Sequence, residues 1–204
     1  MTIHKWGGLA SFALAASFIV APFIYLVGNL RDTFGILAYD LADLLYGPVL
    51  AAGLVTVTYV LRERLRGSAP HRMDLALMAA LLAASGMAAV AFIRASNRLY
   101  HLQHPELHLE NSATVLTLWT TLVAGISAFG FHFLGWMNIL LGSAGWTSRF
   151  FPRLLSGFYF LAGVSALFVY RIPGLEGLAL LLGTIISIWQ GILLWKQDAH
   201  PPAQ

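Results

Sequence analysis

Apolar residues run along this chain in long unbroken stretches, and polar residues are confined to short segments between them. A bilayer hydrocarbon core about 30 Å thick takes about 20 apolar residues as helix. Six stretches meet that description: Gly8 to Gly28, Leu44 to Leu61 with a more polar lead-in from Ile36, Leu75 to Ile93, Ala113 to Gly135 with an extension toward Leu141, Leu154 to Tyr170, and Leu175 to Trp195. None alternates with period two, as barrel strands do. Backbone groups in lipid must hydrogen-bond within their own segment, so each stretch is predicted as a helix. The expected fold is an all-α, polytopic transmembrane bundle of about six helices. It forms one domain over residues 1–196, followed by a short polar tail, 197–204.

The punctuation agrees with this division. Gly67-Ser68-Ala69-Pro70, Pro105, Pro152 and Pro173-Gly174 fall between stretches, while Pro22 and Pro48 fall inside the first two and are expected to kink them. The first stretch is longer than the roughly 7–15 residues of a signal-peptide core, so it reads as an uncleaved helix. Trp6, Trp146, Trp189 and Trp195 are placed near helix ends, as in interfacial aromatic belts. Small residues recur every fourth position at Ala179, Gly183, Ser187 and Gly191, and at Ala76, Ala80, Ala84 and Ala88. Such stripes let helices approach, within the bundle or across a homo-oligomer face. No internal repeat is visible.

Composition supports a lipid environment. Charged residues make up 10% of the chain against 58% hydrophobic, and the mean hydropathy is +0.74. Soluble domains carry about 25% charged residues. The absence of cysteine excludes disulfides and thiolate metal sites. The net charge of +3 forms no basic stripe, so no nucleic-acid partner is expected. Instead the basic residues divide between the two ends of the predicted helices. Lys5, Arg62, Arg64, Arg66, Arg72, Arg149, Arg153 and Lys196 fall at one end, and Arg31, Arg94, Arg98 and Arg171 at the other. By the positive-inside rule the first end, with both termini, is cytoplasmic.

The candidate chemistry gathers at the opposite, outer face. The segment from Arg94 to Asn111 reads as a polar loop and holds His101, His104 and His108 with Glu106 and Glu110. If Pro105 opens a helical turn, His104 caps it and His108 lies one turn on, a spacing at which two imidazoles share a metal. Asp40 and Asp43, three residues apart on one helix face, could complete the ligand set, with zinc or another divalent transition metal as the ion. The competing reading is a solvated loop, with the two carboxylates paired to Arg94 and Arg98. The spacing is not HExxH. His132, within the fourth stretch, is either a cofactor ligand, a proton carrier or a structural hydrogen-bonder. Arg94 and Arg98 are candidates for ligand binding. Asn138 and Gln190 read as interhelical hydrogen-bonders. No nucleophile with a base, no phosphate loop and no dinucleotide fingerprint is present.

The stretch Gly135 to Leu167 carries a Gly-rich turn, a basic residue, aromatics, Pro-Arg and a Leu-Ser step into the next helix. These fall on Gly142, Ser148, Arg149, Pro152, Arg153, Leu155, Ser156 and Gly163. In this it resembles a family of uncharacterised bacterial multi-pass membrane proteins, classed only as a domain of unknown function. The resemblance covers about a sixth of the chain and implies a bacterial inner-membrane bundle, with no activity attached. Taken together, the sequence points to a non-enzymatic membrane protein that binds a small ligand, senses, or serves as an accessory subunit of a larger complex. The alternatives are a metal-dependent hydrolase at the outer face using His101, His104, His108 and Asp40 or Asp43, and a proton-coupled transporter using Asp40, Asp43 and His132.

Overall fold

The computed structural model of the chain describes residues 2–31, 35–104, 113–172 and 174–197, with side chains for all of these except 28–31, 35–37 and 101. Every regular element among them is helical: α1 (Ile3–Arg31), α2 (Gly35–Leu44), a π-turn (Leu45–Val49), α3 (Leu50–Leu65), α4 (Pro70–Gln103), α5 (Ala113–Ser148), α6 (Arg153–Phe168) and α7 (Leu175–Gln197). α2, the π-turn and α3 follow one another without a break, giving six rods as the hydropathy pattern predicts. The rods form a closed ring in which α1 packs on α3, α3 on α4, α4 on α5, α5 on α6, α6 on α7 and α7 on α1; α2 lies against α1 and α4.

Five of the helical runs are long and apolar enough to cross a membrane: Ile3–Val27, Ala38–Leu65, Pro70–Tyr100, Ala113–Ser148 and Leu175–Lys196. α6 has only 16 residues, about 24 Å of helix, and falls short of the span expected for it. The outward faces are as oily as the core. Phe23, Phe92, Met78 and Leu118 are each at least 60% exposed, whereas the ring interior is closed by Leu50, Leu61, Leu141, Leu155 and Leu194.

Most helices extend beyond their predicted ends, and for one reason. Hydropathy stops where polar residues start, but a helix does not. α4 begins at Pro70, five residues before the apolar stretch, because proline fits the first turn. His71, Arg72 and Asp74 ride on that turn, and Arg62 of α3 reaches back to Asp74 at 2.6 Å. At its other end α4 continues to Gln103, so the first part of the polar segment, Arg94–Gln103, is helix, not loop. His104 is the residue that ends α4, its N–H bonding the Tyr100 carbonyl; the turn expected from Pro105 lies outside the described residues.

Pro48 is accommodated by the π-turn. Without an N–H it cannot continue the α-helical ladder, and the chain widens so that the Leu50 N–H reaches the Leu45 carbonyl, five residues back. Gly47 in the same turn lets α4 pass close by; a β-carbon there would lie 2.3 Å from that of Ala91. The small-residue stripes also find partners inside the bundle. Gly183 and Gly191 of α7 receive Phe18 and Phe12 of α1, and Ala76, Ala80 and Ala84 are buried in the core. Trp189, expected at an interface, instead lies inside α7 and packs edge-on against Phe158, centroids 6.3 Å apart.

The turn between α5 and α6 explains the motif singled out in the sequence. Arg149 takes a positive φ of 56° to leave α5. Phe151 then folds back over Gly145, where a β-carbon would lie 2.0 Å from its ring. It stacks on Tyr159, centroids 5.2 Å apart and 14° from parallel. Pro152 directly precedes α6. A left-handed conformation costs a non-glycine residue about 1–2 kcal/mol, so Arg149→Gly is expected to raise the unfolding free energy by about 1 kcal/mol in detergent; no change or a loss would show that the arginine side chain holds the turn.

Candidate functional site

At the end of the ring where α1, α4 and α6 finish, four charged side chains converge from two helices. α2 presents Asp40 and Asp43, one turn apart; α4 presents Arg94 and Arg98, likewise one turn apart. Arg98 bridges both acids. Its Nε and Nη2 donate to Asp40 Oδ1 at 2.9 and 2.6 Å, and Nη2 also donates to Asp43 Oδ2 at 2.5 Å. Arg94 stands further off, its Nη1 3.8 Å from Asp43 Oδ1 and 3.5 Å from the Tyr25 hydroxyl. Tyr25 of α1 donates its own O–H to Asp43 Oδ1. Asp43 is 3% exposed, and a carboxylate so deep is tolerable only when charge and donors meet both its oxygens. Here they do. Asp40, with 48% of its side chain exposed, sits at the rim.

Beside this cluster the end of the ring opens into a vestibule of about 820 Å³. All six rods contribute to its wall, among them Tyr25, Tyr46, Arg94, Phe131, Tyr170 and Glu176. Arg94 and Arg98, the candidates for ligand binding, line it. His132 does not: it sits half-buried on α5, where its Nε2 accepts a hydrogen bond from the indole N–H of Trp136 one turn on, at 3.2 Å. That contact is within α5, not to a neighbouring helix.

The histidine cluster is only partly within view. His108, Glu106 and Glu110, and the side chain of His101, lie outside the described residues. His104 is described, and its ring lies against Tyr100 with centroids 4.6 Å apart. Among the described residues no three His, Asp or Glu side chains come together in a metal-holding group. Asp40 and Asp43 face the arginines. Gln190 accepts a hydrogen bond from Tyr159 of α6 and so joins two helices, as expected for it.

Sequence reasoning passed over Tyr25, Tyr46 and Glu176. The tyrosines are counted as aromatic core in any hydropathy reading, and nothing local marks a hydroxyl that faces a carboxylate on the next helix. Glu176 carried a usable signal, an acid in the first turn of an otherwise apolar helix. Comparison of the chain with family models, with curated proteins and with solved structures finds no match.

Proposed function

We propose that this protein is an integral, non-enzymatic membrane protein of the bacterial inner membrane that binds a small amphipathic ligand in its vestibule. The observation that carries the reading is the vestibule itself, an open cup of about 820 Å³ built by every rod of the ring, with a fixed charge cluster in its wall. Such dimensions suit a small organic molecule. Arg98 is consumed by three short contacts to the two acids. Arg94 makes only long ones and keeps N–H donors for a guest. Phe131, Val169 and Leu180 offer apolar surface for the rest of the ligand. A head group that accepts hydrogen bonds, on a short hydrocarbon or ring skeleton, fits this pattern. Neither the metal-dependent hydrolase nor the proton carrier gains comparable support, since Asp40 and Asp43 are already engaged by Arg98, Arg94 and Tyr25.

The bilayer partners the outward faces in this reading, and the basic residues orient the bundle. Eight of the twelve lysines and arginines lie at the end opposite the vestibule, and of the remaining four Arg98 is held by two acids. The vestibule then opens away from the cytoplasm. The chain has no cysteine, so single cysteines report without background. Ser68→Cys, between α3 and α4, is expected to resist a membrane-impermeant maleimide added outside intact spheroplasts, while Ile172→Cys, between α6 and α7, reacts; the reverse pattern would invert the orientation.

Ligand binding is tested by native mass spectrometry of protein released from membranes. The wild type is expected to carry an adduct of defined mass. Ala128→Trp, which fills the vestibule, removes it, and Arg94→Met weakens it. An adduct indifferent to both substitutions, or none under any release condition, would refute the reading.

A further inference from the structure

The ring encloses a second, smaller space, which none of the readings above uses. It lies among buried side chains within the bundle, with a volume of about 30 Å³. Six polar or polarisable groups come to it from four helices: Thr58 on α3, Asn138 and Met137 on α5, Tyr159 on α6, and Ser187 and Gln190 on α7. Gln190 is 2% exposed. Its carbonyl oxygen takes the Tyr159 hydroxyl, but its amide nitrogen has no hydrogen-bond partner in the protein. Leaving a buried donor unmet costs about 1–3 kcal/mol. Turning the amide over would only transfer the deficit to the oxygen.

We propose that this chamber is a buried hydration site, holding one or two water molecules hydrogen-bonded to the Gln190 amide and the polar groups around it. The dimensions fit. A water needs about 10–15 Å³ of accessible volume and two to four polar partners, and both are present. An apolar cavity of this size would stay dry; this one has an amide, a second amide and hydroxyls in its wall.

The chamber also has a defined relation to the vestibule. On α1 the vestibule is lined by Pro22 and the chamber by Phe18; on α5 by Phe131 and Leu134; on α6 by Val169 and Ala166; on α7 by Leu180 and Gly183. Each pair is three or four residues apart, about 5 Å along a helix. One turn of mostly apolar side chains, with Phe18, Phe131 and Leu134 the bulkiest, therefore separates the open cup from the smaller chamber.

Radiolytic hydroxyl-radical footprinting of the full chain in nanodiscs tests this, because ionised bound water labels the side chains it touches. Met137, 4% exposed, touches the chamber; Met73 and Met87, 0% and 2% exposed, do not and serve as equally buried controls. Met137 is expected to oxidise several-fold faster than either control, and Gln190→Leu is expected to bring it down to their rate. Ser187→Ala, a milder change, is expected to lower it partially and serves if Gln190→Leu does not fold. Oxidation of Met137 no faster than Met73 and Met87, or a fast rate unchanged in the folded variants, would overturn the proposal.

Discussion

Replacing Arg98 by alanine is expected to lower the unfolding free energy by about 3 kcal/mol, the low end of the range for orphaning one member of a buried ion pair. The loss comes from Asp43, not Asp40. Asp43 is almost fully buried and would keep only the Tyr25 hydroxyl and the distant Arg94. Asp40 is half exposed, and an exposed pair contributes roughly 0–1 kcal/mol, so Asp40→Asn should be nearly silent. The pairing can be checked by a double-mutant cycle in detergent unfolding. Arg98→Ala with Asp43→Asn is expected to be more stable than Arg98→Ala alone, because the second change removes the stranded charge. Additive losses would mean that the two residues do not interact as the structure has them.

The second large effect is expected where α5 and α6 touch backbone to backbone. A β-carbon on Gly135 would lie 2.8 Å from the Gly163 carbonyl oxygen, and one on Gly163 would lie 2.8 Å from that of Gly135. Neither oxygen can rotate away, so the helices must part. Gly163→Ala is expected to destabilise by about 1–3 kcal/mol. The double substitution should cost less than twice that, since parting the helices once relieves both contacts. Gly157, on the same helix with open space around it, supplies the control. There alanine should stabilise by about 0.5–1 kcal/mol through helix propensity alone. Equal effects at positions 157 and 163 would contradict the close packing.

What the sequence made legible was what oil and helix geometry determine: the number of rods, their all-helical nature, and the pairing option of Asp40 and Asp43 with Arg94 and Arg98. It failed where the controlling interaction is local and polar, or distant. The start of α4 at Pro70 and its continuation to Gln103 escaped a hydropathy reading because helices persist through amphipathic ends. The π-turn at Pro48 was anticipated only as a kink. Tyr25 as the hydroxyl partner of Asp43 was out of reach, since a residue on α1 and one on α2 share no periodicity. The vestibule belongs to no segment at all. It arises from the closure of the ring, and only the packing of all six rods reveals it.

The decisive measurement is the accessibility of one residue from one side. Ser127 lies on α5 in the vestibule wall, well inside an apolar helix, while Leu116 on the same helix is exposed on its apolar surface. In spheroplasts, Ser127→Cys is expected to react with a small impermeant thiol reagent added outside, and Leu116→Cys to stay protected by lipid. If Ser127→Cys were as inert as Leu116→Cys, or reacted only after the membrane was opened, there would be no water-filled cup on the outer side of this bundle.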